Sequence, residues 1–295
     1  MKKNSIIFFI FLSLIILCYK IFTSNKIAKY FNFSKNIKCV KSINNEIKLT
    51  QNSDYTFFVA GHVYGSPYAD NLGIYPKFYE KLLEDKVKFD FGIFAGDITR
   101  KGNNESWNFF DKQIANLDYK IFIAPGNHDI GSTKLNKKKV EFKKRYGKLY
   151  QSFKFKNDLF IILDPYENQW SIKGSQLEFL NEELKKNYQL VDNIFIITHP
   201  AIFYNKNFNI KMNSLDGAGD DINFWKEIYI LFEKYKNNYY VVTGDVGAFA
   251  NEFELFCKKF EGTIFLATGM GGGESDNYLI FNKYKNKIVI IPETF

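Results

Sequence analysis

Ala124-Pro125-Gly126-Asn127-His128-Asp129 follows the apolar run Tyr119-Lys120-Ile121-Phe122-Ile123, which has the length and composition of a strand. Pro and Gly stop that strand and leave the next side chains free to point into a cleft. Ligands of α/β domains bind outside the carboxyl ends of the strands. An amide oxygen, an imidazole and a carboxylate gathered there are therefore placed for chemistry. Read alone, Asn-His-Asp is equally an Asx-capped turn, so its meaning depends on what ends the other strands.

Outward from this stretch, strand and helix patterns alternate. Strands are expected at Tyr55–Ala60, Phe89–Ala95, Asn193–Ile197 and Tyr239–Val242, with a hairpin from Tyr150–Phe155 and Leu159–Leu163. Helices are expected at Tyr75–Lys88, Glu105–Leu117, near Lys137–Tyr146, at Gly174–Asn187 and at Ile222–Tyr235. In the fourth of these, Leu177, Leu180 and Leu184 share one face. Thr263–Ala267, Asn277–Phe281 and Lys287–Ile291 end the chain as strands. The pattern is that of an α/β domain with a strand-rich end.

The strand exits carry Gly61-His62, Gly96-Asp97, Gly126-Asn127-His128-Asp129, Thr198-His199-Pro200 and Gly244-Asp245-Val246-Gly247. One histidine in an apolar setting is usually structural. Here the chain has three histidines, and all three lie at such exits beside two Gly-Asp turns. Imidazole, carboxylate and amide oxygen suit Mn, Zn or Fe, and such a set supports metal-assisted hydrolysis.

On these motifs the chain resembles the calcineurin-like metallophosphoesterases over residues 54–295. Gly96-Asp97-Ile98-Thr99 and Gly126-Asn127-His128-Asp129 are specific together, and Thr198-His199-Pro200 and Ala267-Thr268-Gly269-Met270-Gly271-Gly272-Gly273 agree in order and spacing. The resemblance implies a four-layer αββα sandwich and hydrolysis of phosphomonoesters or phosphodiesters at a two-metal centre. Two motifs depart from it. The family's Asp-x-His reads Ala60-Gly61-His62, and its Gly-His-x-His reads Gly244-Asp245-Val246-Gly247. Of the first metal's ligands only His62 and the shared Asp97 remain. The second metal's set survives as Asp97, Asn127, His199 and Asp245.

The expectation is one divalent ion on Asp97, Asn127, His199 and Asp245, with Mn or Mg favoured by the anionic set and Zn or Fe as alternatives. His128 is the expected general acid, and His62 a phosphate contact or base. Asp129 either holds the His128 tautomer or caps the next turn. Arg100 either meets the phosphate or forms an exposed salt bridge.

At 295 residues, 46% hydrophobic and 18% aromatic, the chain can bury a sizeable core. Its charge of +8 lies wholly in residues 1–48, which hold nine lysines, no arginine and one acidic residue. The remainder, with 31 basic and 31 acidic residues, is neutral, which argues against nucleic acid as a partner. Ser5 to Tyr19 is an apolar run after Lys2 and Lys3, expected as an uncleaved membrane anchor rather than a cleaved signal. The expected organisation is an anchor or signal segment at 1–22, a basic linker at 23–53 and the metallophosphoesterase-like domain at 54–295. The linker lysines either lie along anionic headgroups or are simply solvated. Cys39 and Cys257 are able to pair in an oxidising compartment.

Two functions follow from this reading. One is a membrane-tethered phosphoesterase, with its soluble domain extracytoplasmic and a phosphate ester as substrate. The other is a non-catalytic domain that binds a phosphorylated ligand or partner protein and does not depend on His128.

Overall fold

Short apolar runs, most of them buried on both faces, make two packed sheets. The computed structural model describes residues 35–36, 38–41, 43–44, 53–84, 87–131, 137–204, 222–248, 255–285 and 287–295. The first sheet holds β1 (Tyr55–Ala60), β2 (Phe91–Ala95), β3 (Lys120–Ala124), β10 (Asn277–Tyr284) and β11 (Lys287–Thr294), in the order β11-β10-β1-β2-β3. The second holds β4 (Gln151–Phe155), β5 (Asp158–Ile162), β6 (Asn193–Thr198), β7 (Asn238–Thr243), β8 (Leu255–Phe260) and β9 (Thr263–Thr268), in the order β4-β5-β6-β7-β9-β8. β1, β2 and β3 are parallel, as are β5, β6, β7 and β9.

The alternation of strand side chains assigns each residue to a layer. Phe57, Phe91, Phe160, Phe195 and Phe281 fill the space between the sheets. Phe57 stacks on Phe281 and Phe91 at 4.7 and 5.0 Å, and meets Phe160 and Phe195 edge-on at 5.1 and 5.2 Å. Phe58 and Ala60, one residue out of phase, belong to the core shared with the helices. That core includes Phe78 of α1 (Pro76–Glu84), Trp107 and Phe110 of α2 (Asn104–Ile114) and Phe142 of α4 (Lys137–Tyr146). Opposite them, Leu180 and Leu184 of α5 (Ser175–Asn187) and Phe232 of α6 (Tyr229–Lys234) join Ile194 and Ile196 of β6. Two sheets flanked by helices result.

Three features differ from the sequence-based expectation. β8 was not anticipated, because its Lys258-Lys259 pair interrupts the apolar alternation. The helix expected at Ile222–Tyr235 opens as a π turn at Phe224–Ile228 before becoming α6. Within the stretch read as a linker, helical residues between 35 and 44 pack on the domain, burying Val40 and Ile43. The segment read as a membrane anchor lies outside the described residues, and no described helix is long and apolar enough to cross a membrane.

Cys39 in that segment is disulfide-bonded to Cys257 of β8, across 218 residues of sequence. Asn36 caps the same edge strand, donating to Leu255 O at 2.6 Å and accepting from Cys257 N at 3.2 Å. Asn44 treats the edge strand β11 alike, donating to Ile290 O at 2.7 Å and accepting from Ile290 N at 3.0 Å. One short segment thus covers an edge of each sheet. Removing the cross-link with paired Cys39→Ser and Cys257→Ser substitutions is expected to cost about 2–5 kcal/mol. Thermal melts of the oxidised protein and the double variant measure this, and coincident melts would show that the clamp contributes nothing.

Candidate metal centre

Because the parallel strands run the same way, their carboxyl ends open at one end of the sandwich, and the motif residues meet there. The two sheets touch through glycine. A Cβ on Gly61 would lie 2.1 Å from Gly244 Cα and 2.4 Å from Thr268 O, so only a residue without a side chain permits this approach. Gly96 has φ +83°, and a Cβ there would lie 2.4 Å from His199 Cβ. His62 and Asp97 adopt φ of 50° and 53°, a left-handed backbone that is costly for residues with a Cβ and is typical of functional sites.

Asp97 is the centre of the cluster. Its Oδ2 lies 3.2 Å from His199 Nε2 and 3.6 Å from His62 Nε2, and its Oδ1 accepts from His128 N at 3.0 Å. Asp245 Oδ1 lies 3.7 Å from His199 Nε2. Each histidine turns Nδ1 to a backbone carbonyl: His62 to Met270 O at 2.9 Å, His128 to Arg100 O at 2.9 Å and His199 to Ala95 O at 2.8 Å. The carbonyls hold the proton on Nδ1 in the neutral rings, leaving each Nε2 lone pair for a proton or a metal.

Burial and charge then separate the groups. Burial opposes a charge on His199, but Asp97 and Asp245 push its pKa up to about 9. Burial also works against ionised Asp97, yet His199 holds that carboxyl well below the usual range. His62 goes the other way: burial lowers it to about 4 despite Asp97. Without an ion, His199 is thus an imidazolium between two carboxylates, whereas His62 is neutral.

Asp129 has a different task from holding the His128 ring. Its carboxylate accepts from Ile98 N, Thr99 N and Gly126 N at 3.0, 3.0 and 2.9 Å, tying the Asp97 turn to α3 (Asn127–Ile130). Burial and then Asp97 push its pKa up to about 6, against those amide bonds. The Arg100 guanidinium donates to Ala69 O at 2.7 Å and so braces the loop that carries His62. Asn127 and His128 are half-buried and form the accessible side of the cluster.

Two tyrosines join the site without having been expected there. Tyr166 donates to Asn127 Oδ1 at 3.1 Å. It sits on a 3-10 turn, Pro165–Asn168, held by Asp164 accepting from Tyr166 N at 3.0 Å and by Gln176 bonded to both Asp164 N and O at 2.7 Å. The signal was present: Leu163-Asp164-Pro165-Tyr166 is also a strand exit. Tyr64, fully buried, places its ring 4.3 Å from that of His62 and its hydroxyl 3.4 Å from His128 Nε2.

The donors gathered here are of types that bind divalent ions. His199 Nε2 is buried without a hydrogen bond, its ring is fixed through Nδ1, and carboxylate oxygens lie beside it. At the same time, no group of three or more His, Cys, Asp or Glu among the described residues is arranged to hold an ion. Asp97 Oδ2 lies 3.2 Å from His199 Nε2, and Asp245 Oδ1 stands off at 3.7 Å from the same nitrogen. Tyr166→Phe removes the bond that orients the Asn127 amide. A bond of this kind contributes about 1 kcal/mol, so Mn2+ affinity should fall about fivefold in a calorimetric titration. Unchanged affinity would remove Asn127 orientation from the account.

Residues 62–227 match the calcineurin-like phosphoesterase family. The probable glycerophosphodiester phosphodiesterase GpdQ of Arcobacter nitrofigilis is 33% identical over 103 residues, which are 33% of this chain and 34% of that relative. The alignment thus spans about a third of each protein. In fold, the chain resembles purple acid phosphatase PPD1 from yellow lupin (Lupinus luteus) seeds with TM-score 0.62 at 14% identity, over 83% of this chain and 52% of that one. It also resembles GAP50, the anchor in the inner membrane complex of Plasmodium, with TM-score 0.56 at 10% identity, over 82% and 85% of the two chains. With more than half of its length matched to the family, the chain is a member of the calcineurin-like phosphoesterases.

Proposed function

We propose that this domain hydrolyses a phosphoric ester using one divalent ion on Asp97, Asn127, His199 and Asp245. The observation that carries the reading is His199: a buried imidazole with Nδ1 committed to Ala95 O and Nε2 lying between the carboxylates of Asp97 and Asp245. Family membership implies a divalent metal, and the three oxygen donors favour Mn or Mg. Such an ion, when bound, acidifies a water and polarises a phosphoryl oxygen. His128 stands at the accessible side with Nδ1 held by Arg100 O, so Nε2 is the atom that, once the ring has taken up a second proton as the imidazolium, hands it to the leaving group. Neutral His62 contributes a lone pair rather than charge. The phosphodiesterase relative makes a phosphodiester the first substrate to try.

The second reading, a non-catalytic binding domain, draws on the incomplete preformed ligand set and on the ion pairing that His199 already makes with Asp97 and Asp245. The test is metal stoichiometry of the full chain together with turnover of aryl phosphomonoesters and diesters in Mn2+. One equivalent of metal is expected, with turnover falling about 10²–10⁴-fold in His128→Ala. Two tightly bound equivalents would contradict the single-ion centre. No turnover with any ester would favour the binding domain.

The apolar run Ser5 to Tyr19 supports tethering to a membrane. The Cys39–Cys257 bond supports an oxidising, extracytoplasmic setting for the domain.

A further inference from the structure

Lys35, Lys38 and Lys41 are exposed on helical backbone, at a three-residue spacing that lines them along one side. Val40 and Ile43 turn the opposite way into the core between the sheets. None of the three lysines makes a hydrogen bond or ion pair with a described residue. The disulfide to Cys257, the double hydrogen bonds of Asn36 and Asn44 and the two buried side chains hold this stripe to the domain. It is part of the domain's surface.

Its position is directional. Asn36 binds β8 at Leu255, which pairs with Thr268 at the carboxyl end of β9. Thr268 O is the atom beside Gly61 at the meeting of the sheets. Asn44 binds Ile290, which pairs with Phe281, itself paired with Phe57 midway along β1. The chain therefore reaches the domain at the strand-exit end and runs toward the opposite end, where β1 begins. β8 lies two strands from β7, about 10 Å sideways at ordinary strand spacing. The lysine stripe thus begins at the end of the sandwich that holds the metal centre and runs along the side from there.

We propose that the Lys35, Lys38 and Lys41 face docks on the anionic headgroups of a lipid bilayer, turning the strand-exit end, with Asp97, His128 and His199, toward that surface. The inference rests on the tethering part of the function proposed above. The twelve residues between 22 and 35 span at most about 43 Å, no more than the roughly 45 Å breadth of a domain this size. A tether of that length keeps the domain within reach of the bilayer, and the lysines decide which face it presents. Each lysine near an anionic surface favours contact about fivefold, so three favour this orientation about a hundredfold. The substrate this arrangement serves is a phosphoester held at the bilayer surface.

The experiment uses the full chain carrying Cys18→Ser, with one donor dye on Glu274→Cys in the turn after β9 or on Lys236→Cys in the turn before β7. Both positions are exposed, at opposite ends of the sandwich. Energy transfer to a headgroup acceptor is read in phosphatidylserine-containing vesicles. Transfer from position 274 is expected to exceed that from 236 at least about twofold, and the excess should vanish in pure phosphatidylcholine and in Lys35→Glu/Lys38→Glu/Lys41→Glu. Equal or reversed transfer, or an excess that survives the triple substitution, overturns the docking surface. Failure to float with the vesicles overturns it together with the tether. Failure of the phosphoesterase reading appears only in the metal and turnover measurements, which the same preparation supplies.

Discussion

Asp97→Asn is expected to abolish Mn2+ binding and to slow phosphoester hydrolysis by at least about a thousandfold. Asp97 Oδ2 lies 3.2 Å from His199 Nε2 and 3.6 Å from His62 Nε2, a carboxylate oxygen shared by both imidazoles. Losing a metal's electrostatic stabilisation forfeits several kcal/mol, and about 1.4 kcal/mol is a factor of ten in rate. The variant keeps the Oδ1 position and hence the bond to His128 N, so a failure to bind metal reports on charge rather than on misfolding. In the unsubstituted protein the sign with pH is also set. His199 carries a proton up to about pH 9, and that proton must leave before Nε2 ligates. Mn2+ affinity therefore rises with pH, up to about tenfold per unit, and levels off above about 9. Calorimetry at several pH values checks both statements. Affinity that is flat with pH, or retained in Asp97→Asn, would remove His199 and Asp97 from the centre.

Gly61→Ala should be a severely damaging methyl addition, because it acts where the two sheets meet. The added carbon would sit 2.1 Å from Gly244 Cα, 2.4 Å from Thr268 O and 2.5 Å from Gly244 O. All three are backbone atoms, which cannot swing aside as a side chain does. Relief requires the two sheets to part by more than 1 Å at their carboxyl ends. Overpacking of this kind costs about 1–3 kcal/mol or more. The same movement draws Asp97, after β2 of the first sheet, away from His199 and Asp245 of the second. Stability and metal affinity should thus fall together. A thermal melt and an Mn2+ titration on the same sample check the coupling. A variant that melts lower yet binds metal unchanged would mean that the glycine contact serves packing alone.

Much of this was legible in the chain. Short continuous apolar runs, rich in β-branched and aromatic residues, mark Tyr55–Ala60 and Asn193–Thr198 as strands, because composition and length are local properties. Gly-Asp and Pro-Gly-Asn-His-Asp mark strand exits because few residues end a strand so abruptly. The convergence of Asp97, His199, Asp245 and His62 at one end then follows from parallel strands, since parallel pairing puts every carboxyl end on the same side.

Other features had no local signal. The Asp129 carboxylate and the His128 ring are neighbours in sequence, yet each finds its partner about 30 residues away, at Ile98, Thr99 and Arg100. Side-chain composition says nothing of which backbone carbonyl will face an imidazole, so the Nδ1 partners Met270, Arg100 and Ala95 were invisible. Tyr64 and Tyr166 look like any core aromatic until the fold brings their hydroxyls to His128 and Asn127.

The amino-acid sequence by itself determined the order of strands and helices, the chemistry at each strand exit and the confinement of excess charge to the first 48 residues. Each depends only on neighbouring residues or on counting them. Tertiary structure alone decided that the described helical residues between 35 and 44 belong to the domain, that Cys39 meets Cys257 and that the lysine stripe begins at the end that holds the metal centre. Those contacts join positions more than two hundred residues apart. Their free energy comes from burial and edge-strand hydrogen bonds that exist only once both sheets are in place.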